Sequence, residues 1–148
     1  LAWKYYKQVM PHEVIKRIGI ERYKNEAYAY SSTMLGNENA QFGQACVSQV
    51  TGTAAWMDVV ATQYLLGIRP ELKGLCIDPC IPADWKGFTV KRKYRGCELT
   101  IGVENPNGVQ HGVKELYIEG EIQDISMGAY ILSEKLKSDR AHIRAVMG

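Results

Sequence analysis

The sequence lacks a strong net charge and lacks any long apolar run. Its 148 residues include 18 lysines and arginines and 16 acidic residues, a formal net charge of +2. Such a balance does not indicate a nucleic-acid partner. No uninterrupted apolar run approaches the roughly 20 residues that a membrane-spanning helix needs. We therefore expect a cytoplasmic protein that binds neither nucleic acid nor membranes.

Cysteine and histidine are also scarce, and their spacing excludes several kinds of site. The four cysteines lie at positions 46, 76, 80 and 97, and the three histidines at 12, 111 and 142. This spacing contains no CxxC pair and fits no zinc pattern. It also gives no support to a Cys/His nucleophile. Buried, reduced thiols are favoured over a disulfide or a metal site, and neither a metal nor a cofactor is expected.

What is present is a globular composition, 46% hydrophobic and 23% charged, arranged in three zones. Residues 1–67 have a helical, aromatic-rich pattern. Residues 68–85 form a connection punctuated by proline and glycine, and the alternation typical of strands begins at Phe88. The pattern predicts an α+β chain whose helices precede its strands.

The second domain is predicted to be a small antiparallel β domain. Alternating residues 88–94 and 97–103 flank Arg95-Gly96, which predicts a hairpin. Further strands are predicted at 114–118 and 141–147. The hairpin carries the one basic cluster of the sequence, which comprises Lys91, Arg92, Lys93 and Arg95. A solvated hairpin offset by nearby glutamates is favoured over an anion site.

The segment Ser48–Gly67 is predicted to be a helix that is apolar on nearly all sides and therefore buried among other helices. The helices before it are too few to surround it. Its first turn, Thr51-Gly52-Thr53, offers free N–H groups, a positive helix end and hydroxyls, which together suit phosphate. Threonine is also a common N-cap, and from the residues alone capping is favoured.

A second candidate region combines a carboxylate, amides and aromatic rings. It comprises Tyr23–Tyr30, which contains Glu26, and the glycine-bounded loop Gly36–Gly43. Sugar sites use carboxylates and amides for hydroxyl groups and aromatic faces for the C–H side of the ring. A packed helical face with tyrosines remains the favoured alternative on composition.

Four motifs, in this order and spacing, resemble the C-terminal end of glycoside hydrolase family 94. They are Thr51–Trp56, Leu65–Pro70, Ile77–Pro82 and Trp85–Phe88. Family 94 comprises inverting glycoside phosphorylases such as cellobiose and chitobiose phosphorylase. The similarity spans roughly Tyr23 to Gly120 and also takes in Glu26, Tyr28 and Tyr30, Gln41–Gly43, Asn105-Pro106 and Gly112-Val113.

The resemblance implies that residues 1–67 are the last part of an (α/α) toroid and that residues 68–148 are a linker and a β-sandwich-like domain. It implies a reaction in which inorganic phosphate attacks the anomeric carbon of a β-linked disaccharide. An aspartate protonates the leaving oxygen, and a sugar 1-phosphate forms with inversion. Phosphate is then a co-substrate, no other cofactor is needed, and the full-length protein is expected to form a homodimer.

Carried over by position, Thr51 and Gly52 correspond to the phosphate-binding turn, and Glu26 and Tyr30 to the sugar subsites. The general-acid aspartate has no counterpart among the aspartates of this chain. We therefore expect a C-terminal fragment that is inactive by itself.

The sequence departs from the family pattern at three positions near these residues. Ala27 replaces a usual proline, Gln49 replaces a usual tryptophan, and Asn39 lies in the loop where a phosphate-contacting histidine is often found. Two alternatives therefore stay open. One is the phosphorylase-like module of a cyclic glucan synthase, and the other is a stand-alone, non-catalytic carbohydrate-binding module.

Overall fold

The computed structural model describes residues 1–49 and 51–148, and the side chain of Thr51 lies outside what it describes. The chain divides into two compact units, Leu1–Val60 and Ala61–Gly148. The domain boundary after residue 67 that the resemblance implies stays a prediction.

The first unit begins with three short helices, α1 (Ala2–Val9), α2 (Pro11–Ile18) and α3 (Ile20–Tyr23). Pro11 stands at the start of α2, where its missing N–H costs nothing, and the preceding Met10 is extended. Gly19 separates α2 from α3 with φ 79°. A small core forms around the buried side chains of Val14 and Tyr23.

The first unit continues with a two-stranded antiparallel sheet, β1 (Ser31–Met34) and β2 (Ala45–Ser48). Helix α4 (Thr51–Val59) follows and ends this unit. A π-helical stretch, Val60–Leu65, continues from α4, and its residues after Val60 belong to the second unit. The predicted helix is therefore shorter than residues 48–67 and changes type. Within the described chain Trp56 is 70% exposed, and the expected burial of this helix among further helices stays a prediction. Three other short helices are too few to surround it.

The second unit contains the remaining strands, which form a three-stranded and a five-stranded sheet. In chain order they are β3 (Ile68–Pro70), β4 (Leu75–Ile77), β5 (Gly87–Tyr94), β6 (Cys97–Glu104), β7 (Val113–Ile118), β8 (Glu121–Ile122), β9 (Tyr130–Ile131) and β10 (Arg140–Met147). The sheet orders are β3-β4-β9 and β5-β6-β10-β7-β8. The α+β class is thus confirmed.

The predicted hairpin is confirmed as β5 and β6, with Arg95 at φ 49° and Gly96 at φ 89°. Positive φ at both central residues matches the right-handed twist of the two strands. The prediction of an antiparallel domain is wrong for one pair, because β10 runs parallel to β6. Parallel strands need a long connection between them. Here the chain between β8 and β10 is long and passes through β9 in the other sheet, so β10 can enter beside β6 in the same direction.

One hydrophobic core joins the two sheets of the second unit. It includes Ile101 and Ile143 from the five-stranded sheet and Leu75 and Ile131 from the three-stranded sheet, all nearly or fully buried. Alternation along β5, β6 and β10 places most of their charged side chains on the opposite, outer face. Arg92 is the exception on β5, because it is half-buried on the inner side and donates to the Ile68 carbonyl.

The cysteines fit the predicted buried thiols only in part. Cys76 and Cys97 are buried, and burial raises the pKa of each thiol. Cys46 is half-buried, and Cys80 is exposed. All four are free.

A polar cluster stabilises the three-stranded sheet. The Arg69 Nε donates to Glu71 Oε1 at 2.9 Å, and the Tyr130 hydroxyl donates to Glu71 Oε2 at 2.8 Å. The Arg69 guanidinium also lies 5.6 Å from the ring centroid of Tyr64. Hydrogen bonds from Arg69 and then Tyr130 lower the pKa of Glu71. The bond to Glu71 raises the pKa of Tyr130 to about 12.

Candidate functional site

A tight loop presents Glu26 in the first unit. Helix α3 ends at Lys24, whose left-handed backbone (φ 54°) turns the chain. The Tyr23 hydroxyl and the Asn25 amide both donate to the Ala29 carbonyl, each at 3.2 Å, and the Ala29 N–H donates to the Glu26 carbonyl at 3.1 Å. These bonds close the loop on itself. Residues 25–30 are therefore not the packed helical face that composition favoured.

Among the described residues, the Glu26 carboxylate has one hydrogen-bond donor. The Gln49 Nε2 donates to Glu26 Oε1 at 3.4 Å, and Oε2 is shielded from solvent with no hydrogen-bond partner among the described residues. The backbone that leads to Gln49 is left-handed at two residues, Val47 with φ 52° and Gln49 with φ 58°. Left-handed backbone is unfavourable for a β-branched residue such as Val47 and is found where local structure imposes it.

A cavity of about 530 Å³ opens beside this carboxylate. Its lining residues are Ile20, Lys24, Asn25, Glu26, Ala27 and Ser48. An ammonium, an amide, a carboxylate and a hydroxyl supply both donors and acceptors around a small apolar wall. This combination suits a ligand rich in hydroxyl groups.

Tyr30, the second predicted sugar residue, is not among the described residues that line this cavity. It is half-buried. Burial, followed by the neighbouring Tyr6 of α1, raises the pKa of Tyr30 to about 12. Its hydroxyl therefore stays protonated throughout the neutral range.

The two predicted phosphate residues stand at the start of α4. Gly52 is exposed, and a Cβ added there would meet nothing within 4 Å, so its backbone is open to approach. The Thr51 side chain lies outside the described part of the chain. Gln49 precedes Thr51 by two residues, which limits their Cα separation to about 7 Å. The Glu26 carboxylate is thus one hydrogen bond from the segment that leads into α4.

The glycine-bounded loop Gly36–Gly43 connects β1 to β2. Asn39 Oδ1 accepts a hydrogen bond from the Gln41 N–H at 2.8 Å, so its side chain stabilises the loop. The Arg22 guanidinium donates to the Phe42 carbonyl at 3.3 Å. Arg22 also lines a second cavity, of about 340 Å³, together with Gln41 and Gln44.

Sequence reasoning assigned no individual role to Lys24 and Asn25 of the candidate region Tyr23–Tyr30, and it did not connect Ile20 or Ser48 with the Glu26 cavity. Lys24 and Asn25 adjoin the predicted Glu26, but nothing in their local pattern shows that the loop closes around Ala29. Ser48 belongs to a strand more than twenty residues away. The described residues contain no group of three or more His, Cys, Asp or Glu side chains that could hold a metal ion. No described helix is both long and apolar enough to cross a membrane.

Comparison with known proteins connects these residues to a family. Residues 1–67 match the Glycosyl hydrolase 94 superfamily, catalytic domain. The N,N'-diacetylchitobiose phosphorylase of Vibrio furnissii is 37% identical over 123 residues, which are 83% of this chain and 15% of that protein. The solabiose phosphorylase of Paenibacillus borealis is 41% identical over 96 residues, 65% of this chain and 12% of that protein.

A more distant relative is the cyclic beta-(1,2)-glucan synthase of Rhizobium meliloti, 27% identical over 103 residues, 69% of this chain and 4% of that protein. The chain thus spans only 15% or less of the length of these relatives. The family match and the two phosphorylase identities confirm the predicted resemblance. Residues 1–67 therefore belong to the catalytic domain of the glycosyl hydrolase 94 superfamily.

Proposed function

We propose that this chain supplies the phosphate-binding turn and part of the sugar site of an inverting glycoside phosphorylase. The substrates are a β-linked disaccharide and inorganic phosphate, and the products are a sugar 1-phosphate and the released second sugar. The observation that supports this most directly is the bond from Gln49 to Glu26, which links the carboxylate to the segment that leads into α4. A hydroxyl acceptor therefore lies one hydrogen bond from the segment that precedes the proposed anion site.

The phosphate-binding part rests on the first turn of α4. The first N–H groups of a helix have no partner within the helix, and the helix dipole is positive there. The open surroundings of Gly52 let a phosphate reach those donors. The Thr51 hydroxyl would add one more hydrogen bond to the anion.

The sugar-binding part rests on Glu26 and its cavity. Gln49 fixes one carboxylate oxygen, and a sugar hydroxyl would donate to the carboxylate in the cavity. The pKa of Tyr30 is about 12, so its hydroxyl is neutral at physiological pH and would hydrogen-bond a part of the sugar substrate outside the Glu26 cavity. The proposed reaction forms a bond from a phosphate oxygen to the anomeric carbon and breaks the glycosidic C–O bond. An aspartic acid from outside these residues gives its proton to the leaving oxygen.

The test is the phosphate dependence of disaccharide consumption by the protein that carries this chain. We expect the initial rate to rise from near zero and saturate as inorganic phosphate is added at constant ionic strength, with sulfate as the control anion. A rate that is independent of phosphate would contradict the proposal. The 148 residues by themselves should show no turnover, since they lack the general acid.

A second candidate is the phosphorylase-like module of a cyclic glucan synthase, which the 27% identity over 69% of the chain supports more weakly than the phosphorylase identities support the first. The two candidates differ in substrate. A phosphorylase of disaccharides should consume a disaccharide faster than a long β-1,2-linked glucan. A module of the second kind should shorten the long glucan with phosphate and leave the disaccharide largely intact.

A further inference from the structure

The outer face of the five-stranded sheet brings basic residues from distant parts of the chain together. Residues of β5, β6 and β10 pair across this face in two neighbouring rows. The first row contains Lys91, Thr100 and His142, and the second contains Lys93, Glu98 and Arg140. These six residues line a cleft of about 570 Å³.

The two lysines of this cleft differ from the other basic residues of the sheet, whose charged groups are engaged. The Arg92 guanidinium donates to the Ile68 carbonyl at 3.0 Å, and that of Arg95 donates to the Ser133 hydroxyl at 2.6 Å. Arg144 donates two bonds to the Glu104 carboxylate, at 2.9 and 3.0 Å. Within the described chain, the ammonium groups of Lys91 and Lys93 form no hydrogen bond or ion pair.

The charges of the cleft favour a dianion. Lys91, Lys93 and Arg140 contribute three positive charges and Glu98 one negative charge, a net charge of +2 when His142 is neutral. The Glu98 carboxylate is already paired, with its Oε2 3.3 Å from the Arg140 Nε. The Thr100 hydroxyl of β6, between Lys91 of β5 and His142 of β10, adds a neutral donor at the centre of the first row.

The spacing of the rows suits a single small anion. Alternate residues of one strand lie about 7 Å apart, and neighbouring strands about 4.8 Å apart. Lys91 and Lys93 can therefore both reach an anion seated between the two rows, and the Arg140 guanidinium can approach it from β10. Ammonium and guanidinium groups form strong, charge-assisted hydrogen bonds to phosphate oxygens.

We infer that this cleft binds a phosphate dianion, either free inorganic phosphate or the phosphate group of a sugar phosphate. The cleft shares no residue with the candidate site around Glu26 and Thr51. The inference is therefore independent of the proposed function, and each can fail without the other.

The test is an NMR titration of the ¹⁵N-labelled chain at constant ionic strength, with sodium orthophosphate, a hexose 6-phosphate and sodium chloride in separate series. We expect saturable shifts of the backbone amides of Lys91, Thr100 and His142 with one or both phosphates and not with chloride. Residue-by-residue shifts separate this cleft from binding near Gly52. Tighter binding of the hexose phosphate would identify a sugar phosphate as the ligand, and equal affinity would identify the phosphate group alone.

The double variant Lys91→Gln/Lys93→Gln should weaken binding at the cleft about tenfold. The double variant Lys135→Gln/Lys137→Gln makes the same charge change at exposed positions outside the cleft and should bind like the unaltered chain. Equal affinities of the two double variants would overturn the inference. The inference would also be overturned if phosphate caused no shift of the cleft amides in the unaltered chain. That result does not depend on whether a variant folds.

Discussion

Glu26 is the residue on which the sugar-binding part of the proposal depends. It is half-buried, and its only described hydrogen-bond donor is the Gln49 amide. Glu26→Gln should raise the KM for the disaccharide about tenfold, because a charged acceptor for a sugar hydroxyl becomes a neutral one. The KM for phosphate should change little. Steady-state kinetics of the protein that carries this chain, with Glu21→Gln as the control at an exposed position of α3, measure both constants.

The outcome that would contradict this role is a disaccharide KM that changes equally in Glu26→Gln and Glu21→Gln. A matching rise in the KM for phosphate would instead assign Glu26 to the phosphate site.

Thr51 is the residue on which the phosphate-binding part depends. Thr51→Ala should lower kcat/KM for phosphate. The lost transition-state stabilisation should be about 1–3 kcal/mol, the usual loss for a hydrogen bond to a charged group. That range corresponds to roughly 5- to 150-fold. Thr33→Ala, on the exposed strand β1, makes the same chemical change as a control. Kinetics at varied phosphate provide the measurement, and an unchanged dependence on phosphate would remove Thr51 from the site.

At this scale the sequence shows which residues are chemically suitable but not which ones meet. Thr51, Gly52, Glu26 and Tyr30 all follow from the resemblance. The contact between Gln49 and Glu26 joins residues that are 23 positions apart and needs left-handed backbone at Val47 and Gln49. No local propensity favours that conformation for valine.

Among the secondary-structure elements, the connection from the π-helical stretch to β3 depends on Gly67. Its φ is 70°, and an added Cβ would lie 2.0 Å from the Asp78 carbonyl oxygen. Gly67→Ala should therefore lower the free energy of unfolding by about 3–5 kcal/mol, from backbone strain together with this clash. Urea unfolding of the chain measures the change.

Gly96 provides the matched control for that variant. It has φ 89°, but an added Cβ there would meet nothing within 4 Å. Gly96→Ala should cost only about 1 kcal/mol, the strain of a left-handed alanine. Equal losses in the two variants would show that the close approach to Asp78 contributes nothing.

The elements also show where local sequence patterns stop being informative. The β5–β6 hairpin is predictable because Arg95-Gly96 is a turn between two alternating segments. The parallel pairing of β10 with β6 cannot be predicted in this way. It brings together Ile143 and Ile101, which are about forty residues apart, and no local sequence pattern indicates which distant strands pair. The exposure of Trp56 likewise depends on what surrounds α4, and the helix's own pattern contains no such information.

For the molecule as a whole, the shifted pKa values predict how stability depends on pH. Hydrogen bonds from arginine lower the pKa values of Glu71 and Glu104 from 4.5. A lowered folded-state pKa stabilises the fold above the unfolded value, and this stabilisation is lost as the pH falls below about 4.5. The pKa values of Tyr30 and Tyr130 are raised from 10.0 to about 12. Their stabilisation is complete below pH 10 and is lost as the pH rises towards 12.

The midpoint of urea unfolding should therefore be highest between about pH 5 and 9 and fall on both sides. Tyr130→Phe removes the phenol whose pKa is raised and should therefore reduce the fall of the unfolding midpoint at alkaline pH. Tyr28→Phe, at a tyrosine that is 82% exposed, should leave that fall unchanged. Alkaline falls of the same size in both variants would contradict the assignment to Tyr130.

The most direct test of the proposed reaction is ³¹P NMR of the protein that carries this chain, incubated with inorganic phosphate and candidate β-linked disaccharides. If phosphate is the nucleophile, its signal should decrease while that of a sugar 1-phosphate of inverted, α configuration increases by the same amount, one for each disaccharide consumed. If the disaccharide disappears while the phosphate signal stays constant and only free sugars form, the protein is a hydrolase and the proposal is wrong.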